Sequence, residues 1–185
     1  WGKDACPVGT VPGAYGGQVS GGRYTSDIGA GVNRCVVDGS FDLILSIGQV
    51  VPHEVIGMSN YTKNILVGLG GRPMINGTHM LGALCNLETI MGNTDTAVRA
   101  VFDYGEEHFL RDVPLAYILT VASEQEGRTA LHGIFNGASR QVYEHAAALA
   151  KRRCITQVER RAKKVVAYLE PEEFSTTWVG SQDIS

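Results

Sequence analysis

The chain has 185 residues, of which 44% are hydrophobic and 19% charged, with a formal net charge of −3. That length supports one sizeable core, or one core and part of another, and the weakly acidic balance leaves no electrostatic footprint for nucleic acid or an anionic lipid surface. No run of about 18 apolar residues is present, and the N-terminus lacks the basic-then-apolar order of a signal peptide. The four cysteines, Cys6, Cys35, Cys85 and Cys154, include no CxxC pair, so neither a structural zinc site nor a redox motif is indicated. Reduced thiols in a cytoplasmic protein are expected, and the sequons at Asn60 and Asn76 then carry little weight.

Ten glycines fall in the first 40 residues, which open on WGKDACPVG; this start reads as loop, cut from something upstream. The run DLILSIGQVV (Asp42 to Val51) reads as a strand buried on both faces, hence a parallel sheet in an α/β domain. After it, Ser59 is placed to cap a helical turn containing Lys63, Ile65 and Leu66, ended by Gly68, Gly70 and Gly71. Pro73 suits the first turn of a helix carrying His79, Leu81, Leu84 and Leu87, with Gly82 and Ala83 leaving room beside His79. A further amphipathic helix is expected from Asn93 to near Gly105, with Val98, Val101 and Phe102 inward.

Two strands, Val113 to Ala122 and Arg128 to Phe135, follow around the polar loop EQEG. A helix from Ser139 to Ala150 turns Val142, Tyr143, Ala146 and Leu149 inward, with Lys151 to Arg153 as a solvated end that complements its dipole. Near residue 155 the composition changes. The segment VVAYLEPEEFSTTW reads as a strand, a Pro-initiated turn and a short helix, so residues 1–155 are expected to be the C-terminal part of one domain and 156–185 the start of a second α/β unit.

Chemistry concentrates between Gln49 and Cys85, where His53, Lys63 and His79 stand among apolar residues and glycines. His53 follows directly on a strand end, where α/β sheets place reacting groups. Its ordinary pKa suits proton transfer at neutral pH, although a ring that merely closes a strand end is the plainer alternative. Lys63 is a surface lysine, a cation for phosphate, or a nucleophile for covalent attachment. His79 is a core histidine or a metal ligand, and two histidines without a third ligand at ordinary spacing do not make a zinc site. The segment NILVGLGGRP (Asn64 to Pro73) fails the dinucleotide fingerprint, leaving at most backbone amides near one phosphate. His108, His132 and His145 read as structural.

Taken together, VPHEVIGMSNYTK with its ten-residue step from His53 to Lys63, the Gly-rich turn, and GTH ending at His79 resemble the central motif of the nickel-dependent lactate racemase family of 2-hydroxyacid racemases and epimerases. FDLILSIGQVVPHE and KKVVAYLEPEEFSTTW are similar to segments of that family too. The resemblance implies a pyridinium mononucleotide with two sulfur arms, the nickel-pincer nucleotide, tethered by a thioamide to Lys63. It implies His79 as the protein ligand to nickel and His53 as one of two acid/base residues acting on the substrate hydroxyl. The substrate would be a lactate-like or larger 2-hydroxy acid.

The family's second histidine and its carboxylate-binding arginine match nothing in this sequence, which implies that the remainder of a longer protein supplies them. The commoner family form has a Gly-Gly turn before the lysine, where this chain has Asn60, Tyr61 and Thr62, and the nearest match to a late substrate-contacting lysine is Gln182. A divergent branch is expected. The competing reading is a non-catalytic nucleotide- or phosphate-binding module; a degenerate structural domain is a third.

Overall fold

A computed structural model of the chain describes residues 5–125 and 127–154. The anticipated second unit from residue 156 onward, Gln182 included, lies outside them. In chain order the elements are β1 (Ala5–Val11), α1 (Gly13–Val19), β2 (Ile28–Asn33), α2 (Arg34–Val37), β3 (Ile44–Gln49), β4 (Pro52–His53) and β5 (Gly57–Met58). Then come α3 (Thr62–Leu66), α4 (Arg72–Leu84), α5 (Leu87–Ile90), α6 (Ala97–Phe109), β6 (Leu115–Gln125), β7 (Arg128–Gly137) and α7 (Arg140–Cys154). The fold is mixed α/β. None of the described helices is long and apolar enough to cross a membrane, and all four cysteines are free thiols.

The main sheet has the order β3-β6-β7. β3 runs parallel to β6, from Ile44 opposite Leu115 to Gln49 opposite Thr120, while β6 and β7 form an antiparallel hairpin with a bulge at Val121 and Ala122. The parallel pairing is as expected; burial of β3 on both faces is not. Tyr117, Leu119 and Val121 on the inner face pack under Tyr143, Ala146, Ala147 and Ala150 of α7, all buried. On the outer face Leu45 is 51% exposed and Ile47 64%, alongside Leu131 and Ile134 of β7. A continuous apolar run therefore reports here a strand whose second face no described residue covers.

The glycine-rich start is structured, not loop. β1 and β2 pair antiparallel because small residues let other elements approach. A Cβ on Gly9 would lie 2.4 Å from the Phe109 ring, and one on Gly13 1.9 Å from the Thr25 carbonyl oxygen. α6 also differs from expectation. It starts at Ala97, capped by Thr96 Oγ1 accepting from Arg99 N at 3.0 Å, and continues through Gly105 to Phe109. Gly105 is a packing site, since a Cβ there would stand 2.9 Å from Leu66. Pro73 does open α4, but the helix ends at Leu84 and Leu87 falls in α5. α7 runs to Cys154 with Tyr143 and Ala146 buried as expected and Lys151 to Arg153 exposed.

Gly57 combines such a close junction with a strained backbone. Its φ is +98°, and a Cβ would meet the Asn93 carbonyl oxygen at 2.0 Å, so an alanine there meets both a left-handed backbone and fixed main chain. Gly57→Ala should cost about 3 kcal/mol, read as a shift in urea midpoint at constant slope. Gly39→Ala, with φ +74° and nothing within 4 Å, should cost only about 1 kcal/mol. Equal losses would contradict this packing.

Candidate active site

The chain leaves β3 at Gln49 and folds back through the two-residue strands β4 and β5, which pair Pro52 with Met58 and His53 with Gly57. Ser59 closes this hairpin instead of capping α3. Its hydroxyl donates to Gln49 O at 3.0 Å and accepts from Val51 N at 3.0 Å, and its own N–H donates to Val51 O at 2.8 Å. His53 therefore rides on a short hairpin tied to the carboxyl end of β3. Val55 N–H donates to His53 Nδ1 at 3.1 Å, so the neutral ring carries its proton on Nε2. Glu54 Oε2 lies 3.6 Å from the same Nδ1.

Burial is the main force on this imidazole, and the neighbouring cation of Lys63 adds to it; Glu54 opposes them, and His79 and Arg99 lower it further. Its pKa falls to about 4. A group responds to charges near it, so this depression is a physical link between His53, Lys63 and His79.

Lys63 is delivered by an unusual turn. Just before it, Asn60 (φ 68°) and Tyr61 (φ 60°, ψ −136°) take left-handed backbone conformations without being glycine. Strain of about 1–3 kcal/mol attends each such residue unless surrounding structure holds it. Here Tyr61 is 6% exposed, stacks on Tyr143 at 5.2 Å, meets Tyr117 in a tilted contact at 4.6 Å, and donates its hydroxyl hydrogen to Ala138 O at 3.2 Å. Asn60 Oδ1 accepts from Tyr61 N at 2.7 Å and from Asn64 Nδ2 at 2.8 Å. Lys63 itself is half-buried, and burial lowers the basicity of its amine; Glu54 counteracts this and Arg99 adds to it.

His79 sits on the exposed side of α4. Its Nδ1–H donates to Ile75 O at 2.7 Å, which leaves the Nε2 lone pair of the neutral ring unclaimed, the tautomer a metal ligand needs. His108 makes the same bond to Tyr104 O, so the bond alone is not diagnostic. Gly82 does not leave room beside His79. It is buried, and a Cβ there would lie 3.1 Å from the Val55 side chain and 3.3 Å from its carbonyl oxygen. The glycine thus lets α4 lie directly against the His53 hairpin.

The loose phosphate role for the glycine turn does not survive. The N–H groups of Gly68, Leu69, Gly70 and Gly71 donate to Lys63 O, Ile65 O, Val67 O and Gly31 O, leaving none of the four for an anion. No group of three or more His, Cys, Asp or Glu among the described residues could hold a metal ion. Of the remaining histidines, His108 is exposed and stacks on Tyr104, His145 is exposed, and His132 Nε2 lies 2.7 Å from Ser123 Oγ.

Two groups beside the site were not singled out from sequence, Glu54 and the wholly buried Arg99. The arginine stands in AVRAVF, a lone charge in an apolar stretch, which was the available signal. A cavity of about 550 Å³ between α3, α6 and the start of α7 is lined by Tyr61, Thr62, Asp103, Glu106 and Arg140 among others. A second, of about 650 Å³, lies between β1, β2 and the start of α4. Neither is lined by His53, Lys63 or His79.

No family model matches this chain, and no curated protein matches it. Among solved structures, a crystal structure of a Thermotoga maritima protein is similar over 92% of this chain, with 23% identity and a TM-score of 0.77. The match covers 41% of that protein, so the chain spans about two fifths of its length. The likeness shows a shared fold.

The pH behaviour of His53 follows from its surroundings. Its folded pKa of about 4 lies below the ordinary 6.5, so the unfolded chain binds the extra proton first. The stability this neutral ring contributes is complete above about pH 6.5 and is lost as pH falls toward 4. In NMR titration His53 should remain in the Nε2–H form to near pH 4, and His53→Gln should flatten the urea midpoint between pH 6.5 and 4. A ring titrating near 6.5 would mean that it is solvated.

Proposed function

We propose that this chain carries the cofactor-holding part of a racemase or epimerase of 2-hydroxy acids, with Lys63 as the attachment point of a nickel-pincer nucleotide, His79 as a nickel ligand and His53 as an acid/base. The observation that carries this reading is electrostatic. The cation of Lys63, and to a smaller extent His79, lowers the basicity of His53, so three side chains from a hairpin and two helices act on one neighbourhood.

The donor set fits such a group and fits a bare ion poorly. A single imidazole with a free Nε2, and no three-ligand group beside it, would hold a metal only if most of the other ligands arrived with it. An amine of lowered basicity has a larger neutral fraction, and the neutral amine is the nucleophilic form that attachment to such a group would require. When bound, the nickel-pincer group supplies a reversible acceptor for the hydride on the substrate's chiral carbon.

What the chain itself does is handle a proton. At neutral pH His53 is uncharged, and its Nε2–H can donate a hydrogen bond to a substrate oxygen. To take the hydroxyl proton at Nε2, the ring must move its own hydrogen to Nδ1, giving up the Val55 amide. Glu54 Oε2, 3.6 Å away, is the acceptor that would compensate for that loss. Glu54 is therefore a positioning group for the base form of His53, as a carboxylate is for imidazoles that serve as general bases.

Co-expression with the enzymes that build the cofactor, followed by intact mass and metal analysis, tests this reading. The expected outcome is a mass addition on Lys63 with equimolar nickel, both lost in Lys63→Ala, and a retained addition without nickel in His79→Ala. An unmodified Lys63 beside a working cofactor pathway would overturn it.

A further inference from the structure

The left-handed residues Asn60 and Tyr61 need a restraint from outside the turn, and one side chain supplies it. Arg99, from the middle of α6 and 0% exposed, donates through Nη2 to Met58 O at 2.6 Å and Asn60 O at 3.2 Å, and through Nη1 to Thr62 Oγ1 at 2.8 Å. Its guanidinium lies over the Tyr143 ring, 4.4 Å from the centroid, and the Tyr143 hydroxyl donates to the same Met58 carbonyl at 3.1 Å. Thr62 Oγ1 in turn donates to Asp103 Oδ1 at 2.9 Å. One planar fork thus holds three alternate residues, 58, 60 and 62, of the segment that leads into Lys63. We propose that Arg99 is the positioning residue for Lys63, fixing the turn from which the amine is presented toward His53. The inference rests on the reading of Lys63 as the cofactor attachment point.

Two features separate this from ordinary core packing. Arg99 Nε has no acceptor among the described residues although it is fully buried; burying an arginine with one donor unpaired is a poor way to gain stability alone. Its fixed charge also reaches the reacting groups, lowering the basicity of both Lys63 and His53. A lysine at position 99 would keep the charge but lose the planar fork, which makes Arg99→Lys the informative variant.

Two measurements are made on it. In the unloaded protein, hydrogen exchange of the Asn64 amide, which donates to Tyr61 O at 2.9 Å, should quicken roughly tenfold or more in Arg99→Lys, with the β6 and β7 ladder unchanged. After co-expression with the cofactor-building enzymes, modification of Lys63 should fall by a similar factor. Val142→Ala, a packing change on α7, should leave modification at the wild-type level although it lowers stability. If Arg99→Lys does not fold, Thr62→Val removes one grip of the fork and should show both effects at roughly fivefold. Unchanged exchange, or full modification in the variant while the wild type is also modified, overturns the positioning role. A wild type that is never modified instead overturns the functional reading, and the positioning role falls with it.

Discussion

The buried charge of Arg99 is the interaction on which the arrangement of this chain depends. Taking a guanidinium out of water is costly, and it is tolerated where the group finds carbonyls, a hydroxyl and an aromatic face arranged around its plane. Met58 O, Asn60 O, Thr62 Oγ1 and the Tyr143 ring provide that surround. Charge-assisted bonds contribute about 1.5–3 kcal/mol each, comparable to the strain of about 1–3 kcal/mol at each of two left-handed non-glycine residues. The two are of the same order, so the bonds of the fork offset the strain of the turn they hold.

From this centre the ionic connections run outward. Asp103 accepts from Thr62 and pairs with Arg140 of α7, which also reaches Asp95 at 2.7 Å and Glu144 at 3.1 Å. Burial raises the pKa of Asp103, and the cations of Arg99 and Arg140 work against that rise. Beside it Glu106, half-buried and bonded to the Tyr117 hydroxyl, is pushed up to about 7, chiefly by burial. Its stability contribution has the opposite sign to that of His53: protonated Glu106 supports the fold at low pH, and the support is lost as pH rises through about 7. The network therefore joins α3, α6 and α7 into one block, with the Lys63 turn at its edge.

The parts legible in the sequence were those with strong periodicity or a turn residue of fixed meaning. The parallel placement of β3, the proline start of α4, the β6 and β7 hairpin and the inward face of α7 all followed from patterns a few residues long. The errors arose where glycine or hydrophobicity had two readings. Gly9 and Gly105 looked like loop and helix end, but each admits a neighbouring side chain. The apolar run of β3 looked doubly buried, while Leu45 and Ile47 face outward. His53, Lys63 and His79 could be singled out as a set because each stands among apolar neighbours. Arg99 could not be connected to Lys63, because its partners lie 37 to 41 residues away in sequence and only the packing of α6 against α3 brings them together.

Gly82 has a consequence for how much this neighbourhood can vary. Since a Cβ on Gly82 would come 3.1 Å from the Val55 side chain and 3.3 Å from its carbonyl oxygen, the approach of α4 to the His53 hairpin is set by close contact of main chain with Val55, not by the reach of flexible groups. A seam built in this way has little freedom to open or close. Changes of sequence are then accommodated more easily along borders remote from that seam than across it.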